Sequence, residues 1–563
     1  MRRIHGFSFL NVGLVFVGLV LVGGVLGPSA ARGEENRRPI ISTTIDFLDY
    51  CFGRTDPAKG YFTEKQYDEV MRAVAEPGIT KVYLRVDVCG LTLYPTKVGK
   101  EYTGDGREPG STYLVNTMKR YDPVAKTIEL GHRYGVEVWC WDTLFDDEAT
   151  GVNYGPESKP ELAKRFGKYP LKDPVLIENP DLQWRLDPRI EAAQEKEAAE
   201  RGPDGPVTAI RIRSDNRSAS NRITAAMFDI LVSNDNCSYR RYEGDWEFVV
   251  ESEKPCVLII KGLDIREPYI KLAFHKRWPT RGFTITGHAD DMVDLFWGGK
   301  WHKTLCDWRD QTEPAEKGGF DFITSRFAWD FGRRAMGIGK FIPRLPRHCG
   351  MIELSYPEAR AHKLAKLREL AEYDFDGFAY SMRTHTHARR PEYYGFNKPV
   401  RDAFLKQYGK DIWTEDFDRD AWLNLRAEAV NAYLAEAGKM LGSRPLYMDS
   451  PRPEPGAPYT RQYGGLPFQP EAWARDGAVD GVRMMGIPFN QKVDPKFTGA
   501  DKVRIVRFVD NHPMPTPSKL GENLRRWLKN PVLDEIELYE TVLYTNNRDY
   551  LRVIRDVLSS HRP

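Results

Sequence analysis

Asp376-Gly-Phe-Ala-Tyr-Ser-Met-Arg-Thr-His-Thr-His387 is the stretch whose reading decides the fold. A helix should precede it. From Pro357 to Tyr373 the apolar residues Ala361, Leu364, Leu367, Leu370 and Ala371 recur at helical spacing, and Pro357 suits a first helical turn. A helix followed by a strand that opens on Asp-Gly is the rhythm of a parallel α/β fold. Alternate side chains of a strand share a face. Gly377, Ala379, Ser381, Arg383 and His385 therefore lie on one side, and Phe378, Tyr380 and Met382 on the other. The small residues fit the inside of a closed barrel, and the bulky ones pack against surrounding helices. Arg383 and His385 then emerge on the inner side at the C-terminal end of the strand, where β/α barrels hold their active sites.

The same rhythm extends in both directions. Ile41–Asp46 reads as a first strand, Thr63–Val74 as a helix and Lys81–Val88 as a second strand, with Tyr83, Arg85 and Asp87 on its polar, inward face. Pro123–Tyr134 is a helix with Asp122 placed to cap it, Pro123 at its first position and Gly135 as its stop. Val136–Asp142 is a third strand, followed by the acidic cluster Asp146-Asp-Glu148. Beyond the 376 stretch come a helix from Asp420 to about Leu441 and strands at Arg444–Asp449, Val479–Met485, Lys502–Val509 and Glu535–Glu540. Eight strands with helices between most of them predict a (β/α)8 TIM barrel.

Between the third and fourth strands the rhythm breaks. Residues 151–204 read as an irregular stretch. Short strands then follow at Val207–Arg213, Phe228–Ser233, Trp246–Val250, Cys256–Ile260, Tyr269–Phe274 and Phe283–Thr286. Their spacing predicts a β-sandwich of jelly-roll type inserted into a βα loop. Such loops tolerate insertions and carry specificity. The expected divisions are a signal peptide over 1–31, the barrel's first part over 38–204, the insert over 205–312 and the barrel's second part over 313–563.

The formal charge of +2, without a basic tail, argues against nucleic acid as a partner. Met1-Arg-Arg-Ile-His, the apolar run from Phe9 to about Leu26 and the small residues Ser29-Ala30-Ala31 predict a cleaved secretory signal, hence export without stable membrane insertion. The 7 cysteines are scattered with no CxxC pair, so a zinc cage is not expected. Cys237 and Cys256 fall in one β-rich region where a pair is open, and the others read as small buried hydrophobes.

Two motifs carry a resemblance. Leu354-Ser-Tyr-Pro-Glu-Ala-Arg360 leads into Asp376-Gly-Phe, and Tyr394-Gly-Phe-Asn-Lys-Pro-Val400 precedes Phe404-Leu-Lys-Gln-Tyr-Gly-Lys-Asp-Ile412. Together they resemble the glycoside-hydrolase-like, "family 10-like" barrel proteins of environmental bacteria. Leu263-Asp-Ile-Arg-Glu-Pro-Tyr-Ile-Lys-Leu272 resembles galactose-binding-like, discoidin-type jelly rolls. The resemblance implies an exported protein acting on a poly- or oligosaccharide.

Glycoside hydrolysis needs two carboxyl groups flanking the scissile bond. In the large clan of barrel glycosidases the acid commonly follows the fourth strand. Here that strand runs into Arg383-Thr-His-Thr-His387, with no carboxylate until Glu392. The catalytic pair is therefore sought among Asp142, Asp449, Asp510 and Glu540, all at strand C-termini. Arg85, Asp87, Trp141, Arg383, His385 and Tyr447 are the expected substrate-binding residues. Arg beside Asp lowers that carboxylate's pKa, which assigns Asp87 to binding. Arg85, Arg383 and Arg507 hint at an anionic sugar, and Trp139 and Trp473 are further stacking candidates. No Gly-rich phosphate loop or GxSxG elbow stands at a convincing position, and no cofactor is expected. Two other readings stay open: a non-catalytic glycan-binding barrel, and a metal-dependent hydrolase using His385 and His387.

Overall fold

The computed structural model describes residues 39–102, 110–147, 172–200, 205–214, 225, 228–233, 240–253, 256–267, 269–274, 291–309, 321–325, 328–329, 342–343, 347–382, 391–450, 465–485, 503–510 and 514–561. Eight parallel strands close into a barrel in sequence order. They are β1 (Ile40–Ile45), β2 (Lys81–Arg85), β3 (Glu137–Thr143), β4 (Gly377–Ser381), β5 (Leu446–Ser450), β6 (Gly481–Met485), β7 (Arg504–Asp510) and β8 (Glu535–Tyr539), and β8 pairs back onto β1.

Local chemistry sets the element boundaries. Thr63 and Gln66 bond reciprocally at the start of the helix Glu64–Ala75. Asp122 caps Pro123–Arg133, accepting from the Val124 N–H at 2.8 Å. The strands have a device of their own. Asp376, Asp480 and Asp534 stand just before β4, β6 and β8, and each carboxylate accepts a backbone N–H from the preceding barrel strand. The donors are Val138 at 2.7 Å, Leu446 at 2.9 Å and Ile505 at 2.8 Å.

The two faces of the barrel strands separate as side-chain parity requires. Tyr83, Trp139, Trp141, Ala379, Tyr447 and Val506 cluster inside the barrel. Val82, Val138, Cys140, Phe378, Tyr380 and Met448 join the larger core shared with the surrounding helices. Two interior glycines make room for the rings. A Cβ at Gly377 would lie 2.6 Å from the Trp139 indole, and one at Gly481 would lie 2.5 Å from the Tyr447 ring.

The helix before β4 spans Pro357–Leu370, and its core side keeps Leu364, Leu367 and Leu370 of the apolar stripe read from sequence but loses Ala361 and adds two lysines. Ala361 is exposed and Leu364 half-buried, whereas Ala359, Lys363, Lys366, Leu367 and Leu370 are buried. Acids supplied by the segments after β3 turn the two lysines inward. Lys363 pairs with Asp147 at 2.6 Å and Lys366 with Asp173 at 3.4 Å.

The stretch read as irregular contains the helices Pro174–Glu178 and Pro188–Glu200, and a strand, Gln183–Arg185, that pairs with His348–Ile352. From Val207 to Ser325 the chain forms a nine-stranded sheet of antiparallel pairs. Five of its strands lie where alternation placed them. Phe283–Thr286 falls outside the described residues, and Arg240–Arg241, Asp291–Trp297, Lys300–Arg309 and Asp321–Ser325 complete the sheet. Both halves contribute to one buried cluster, Ile210, Leu258 and Leu295 from one and Ile230, Val232 and Ile270 from the other. Cys51, Cys89, Cys140 and Cys349 are buried thiols, while Cys237 lies outside the described residues. Among the described residues no helix is long and apolar enough to cross a membrane.

Gly481→Ala tests the packing of the interior. Pushing a methyl group against the Tyr447 ring should cost about 1–3 kcal/mol, read as a lower urea midpoint with unchanged slope. An unaltered midpoint would mean that the ring is not confined there.

Candidate active site

The barrel interior is stacked with charge from its N-terminal floor to its C-terminal mouth. At the floor, Lys81 donates to Glu535 at 2.8 Å, and Ser42 bonds the other carboxylate oxygen at 2.5 Å. The Lys81 ammonium lies 3.4 Å from the Trp139 ring centroid and about 4.5 Å from that of Tyr447. Burial lowers the Lys81 pKa despite Glu535. Trp139 and Tyr447 thus belong to the floor. Their rings pack on each other with centroids 4.5 Å apart, which corrects the expectation that they stack on a sugar at the mouth.

In the middle layer Arg483 binds Glu537 with two nitrogens, at 2.8 and 2.6 Å, and its third nitrogen stands 2.7 Å from Asp449. Asp449 also accepts from Ser381 Oγ and the Met382 N–H, both at 3.0 Å. It points inward, as its parity predicted, but it is fully buried and engaged on both oxygens. That is the setting of a structural ion pair rather than of a proton donor.

The mouth is built by the segments leaving β1, β2, β3 and β8. Arg85 donates from Nη1 to Asp46 at 2.8 Å, from Nη2 to Asp146 at 2.9 Å and from Nε to the Asp87 carbonyl at 2.8 Å. Asp146 also accepts the Cys89 N–H at 3.3 Å. Beside this group the half-buried Asp49, in the helix Phe47–Arg54, hydrogen-bonds Glu540. Burial, the charge of Asp46 and the bond to Glu540 hold the Asp49 carboxyl well above its usual range, with Arg85 opposing them. Glu540 is the cap residue of the short helix Thr541–Thr545, yet its side chain makes no capping bond. Thr43 donates to the Leu538 carbonyl at 2.7 Å and meets Thr541 Oγ1 at 3.0 Å. These contacts hold the exit of β8 against β1, and with it Glu540 against Asp49. Trp141 underlies the site, 6.1 Å from the Tyr539 ring and 5.8 Å from the Arg85 guanidinium carbon. Its buried indole N–H has no acceptor among the described residues.

Four expectations need correction. Asp142 alternates with the inward Trp141 and so lies on the helix side of β3, buried near Lys363, Lys366, Tyr380 and Tyr433. Asp87 lies close to it. Both Asp87 oxygens accept Thr143 Oγ1 at 2.7 Å, and burial and the Asp142 charge raise its pKa, because Arg85 engages its carbonyl rather than its carboxylate. Arg507 faces outward against Trp527, 4.6 Å from that ring, and Trp473 is buried with its N–H bonded to Asn431 at 2.6 Å. Arg383, His385 and His387 lie outside the described residues, as does the Asp510 side chain, whose backbone ends β7 in register with Tyr539. Among the described residues no group of three or more His, Cys, Asp or Glu is placed to hold a metal ion.

Sequence reasoning named Arg85 and Glu540 but missed Asp46, Asp49 and Asp146 as their partners. Asp46 and Asp146 were visible as acids at the ends of the first and third strands. Asp49 gave no comparable signal, since it sits on a helix that was not predicted.

The geometry defines a closed β/α barrel with a carboxyl-rich mouth at its C-terminal end. No family model and no curated protein matches the chain. Among solved structures it is similar to the catalytic domain of a β-amylase from Paenibacillus polymyxa, with 8% identity over 94% of this chain and 99% of that one, TM-score 0.39. It is also similar to a β-galactosidase from Marinomonas ef1, with 8% identity over 89% and 54%, TM-score 0.35. A third is the tandem GH20 catalytic modules of a pneumococcal exo-β-D-N-acetylglucosaminidase, with 9% identity over 93% and 84%, TM-score 0.32.

Two stability measurements separate the middle layer from the mouth. Arg483→Met leaves Asp449 and Glu537 without their cation and should destabilise the fold by about 3–5 kcal/mol, measured by denaturant titration. Asp49→Asn should do the opposite at neutral pH. The folded state holds the Asp49 proton more tightly than the unfolded chain does. Its contribution is thus complete below the ordinary carboxylate range and is lost as pH rises through the raised value. The asparagine variant should therefore melt above the parent near pH 7 and match it near about pH 4. A variant that melts lower at both pH values would show that Asp49 is a structural residue.

Proposed function

We propose that the chain is a glycoside hydrolase whose reaction takes place at the barrel mouth, and the observation that carries this is the pairing of two carboxyl groups, Asp49 and Glu540, beside Asp46 at the C-terminal end of the closed barrel. A carboxyl that stays protonated at neutral pH and is reachable from solvent can act as a general acid. Asp49 would give its proton to the glycosidic oxygen as the bond to the anomeric carbon breaks. Glu540 would orient the acid and take up the proton of the incoming water. Asp510, one strand away, is proposed as the second carboxylate that faces the anomeric centre. The sequence resemblance to family 10-like glycosidases supports a glycan as substrate. Arg383 and His385, on the segment leaving β4, are proposed to contact it. The Trp141 N–H, which has no acceptor among the described residues, would gain one from a sugar oxygen, removing a cost of about 1–3 kcal/mol.

The anionic-sugar expectation loses two of its supports, since Arg85 is taken by Asp46 and Asp146 and Arg507 faces outward. We therefore favour a neutral or amino sugar. The N-terminal segment is proposed to direct export. The sheet of residues 207–325 is proposed as an inserted galactose-binding-like sandwich, in keeping with the single core its halves share.

The test is release of reducing ends from a panel of neutral, amino, uronic and sulfated polysaccharides. Asp49→Asn and Glu540→Gln should each lower kcat by about 10²–10⁴-fold, and Asp142→Asn by far less. Trp141→Phe should act chiefly on KM. Binding without release of reducing ends would instead establish a glycan-binding barrel.

A further inference from the structure

In the antiparallel sheet the strands Asp291–Trp297 and Lys300–Arg309 form a hairpin around Gly298 and Gly299. Both glycines have positive φ, 56° and 77°, as the tight two-residue turn of a hairpin requires. Side chains alternate across the sheet. Leu295 joins the buried cluster with Ile210 and Leu258. Phe296 and Trp301, a directly opposed pair, therefore lie on the other face with Asp294, as do Ala209 and Arg211 of the neighbouring strand Val207–Ser214. The two rings are half-buried and meet edge to face, 5.2 Å apart. The Arg211 guanidinium carbon lies 4.3 Å from the Trp301 ring centroid. It is locked there, because its Nε and Nη2 donate to Asp294 Oδ2 at 2.9 and 2.7 Å. Arg213 Nε donates to the same oxygen at 3.1 Å.

The polar atoms that this face offers are of one kind. Asp294 is 1% exposed and takes both guanidiniums, so it is not an acceptor for anything arriving from solvent. Arg211 is 25% exposed along its side chain, and its Nη1 has no acceptor among the described residues. Nor has the Trp301 indole N–H. A neutral sugar hydroxyl is both donor and acceptor and is best held by a mixed set, whereas an anion is acceptor-only. Aromatic surface beside a fixed guanidinium and a second donor thus matches a sugar ring that carries a negative charge. We propose that this face of the sheet binds an acidic polysaccharide. A sugar ring packs on Phe296 and Trp301, and its carboxylate or sulfate accepts from Arg211 Nη1 and the Trp301 N–H. The site is separate from the barrel mouth and goes beyond hydrolysis: it holds polymer and does not cut it. The neutral or amino sugar favoured at the mouth is the unit being cut, and the charged unit lies elsewhere along the polymer.

Calorimetric titration of the full-length protein provides the test, with two acidic polymers and their neutral counterparts as probes. These are polygalacturonate with its fully methyl-esterified form, and dextran sulfate with dextran. At least one acidic polymer should bind, and its neutral counterpart about tenfold or more weakly. Which of the two binds tells carboxylate from sulfate. Trp301→Ala should weaken binding about tenfold, and Arg211→Met about tenfold or more. Glu540→Gln, at the mouth, should leave the affinity unchanged. A purely structural Arg211–Asp294 pair would lower the denaturant midpoint on substitution and leave binding by every folded variant unaltered, which overturns the proposal. So does binding of none of the polymers, equal binding of acidic and neutral forms, or full affinity in Trp301→Ala. Should Arg211→Met fail to fold, Trp301→Ala decides the matter alone. If the polymer binds as stated but no glycan is cleaved, the hydrolase reading falls and the binding face stands.

Discussion

The constraint on which this structure depends is that the charges it buries inside a closed barrel must be neutralised there. Lys81 is matched by Glu535 at the floor, Arg483 by Asp449 and Glu537 in the middle, and Arg85 by Asp46 and Asp146 at the mouth. An ionised group moved from water to such a site loses several kcal/mol of solvation, so each cation stands only where its carboxylates are already placed. The pairs link strands far apart in sequence. Lys81 and Glu535 join β2 to β8, and Arg483 joins β6 to both β5 and β8. Closure of the ring and neutralisation of its contents are one requirement.

The balance of charge changes along the axis. Lys81 meets one close carboxylate, whereas Arg483 and Arg85 each meet two. At the mouth Asp49 and Glu540 are added without a further guanidinium among the described groups around Asp49. Excess negative charge in a partly desolvated site is relieved by retaining a proton. The floor and middle layers therefore have the character of a scaffold, and at the mouth burial and the charge of Asp46 raise the Asp49 pKa. The lysines behind β3 follow the scaffold logic outside the barrel. Lys363 and Lys366 are buried against Asp147 and Asp173, and the neighbouring Asp142 is committed to that side.

Much of the barrel was legible because strand parity and Asp-Gly punctuation are local signals. Gly377, Ala379 and Ser381 announced an inner face, and Asp376 and Asp480 marked strand starts by a bond each makes to the adjacent strand. The site was less legible because its pairings are long-range. Asp142 was misassigned because its position at a strand end outweighed its parity with Cys140. The burial of Lys363 and Lys366 was not foreseen because their acids lie some 190 to 220 residues earlier in the chain, outside any periodic window. Arg483 shares the inward face with Gly481, and a count of inward charges would have found it.

Asp49 shows where periodicity stops being informative and chemistry takes over. It lies on a helix of eight residues, too short to display a clear stripe. Its importance comes from residues nearly 500 positions away, where β8 returns to β1. That return is enforced by the Ile40–Glu535 and Ser42–Glu537 register and by the threonine contacts at Thr43 and Thr541. Because closure fixes the register, it also brings together two carboxyls that stand nearly 500 positions apart in the chain. The joining of the last strand to the first is what brings Asp49 and Glu540, from opposite ends of the barrel sequence, into contact.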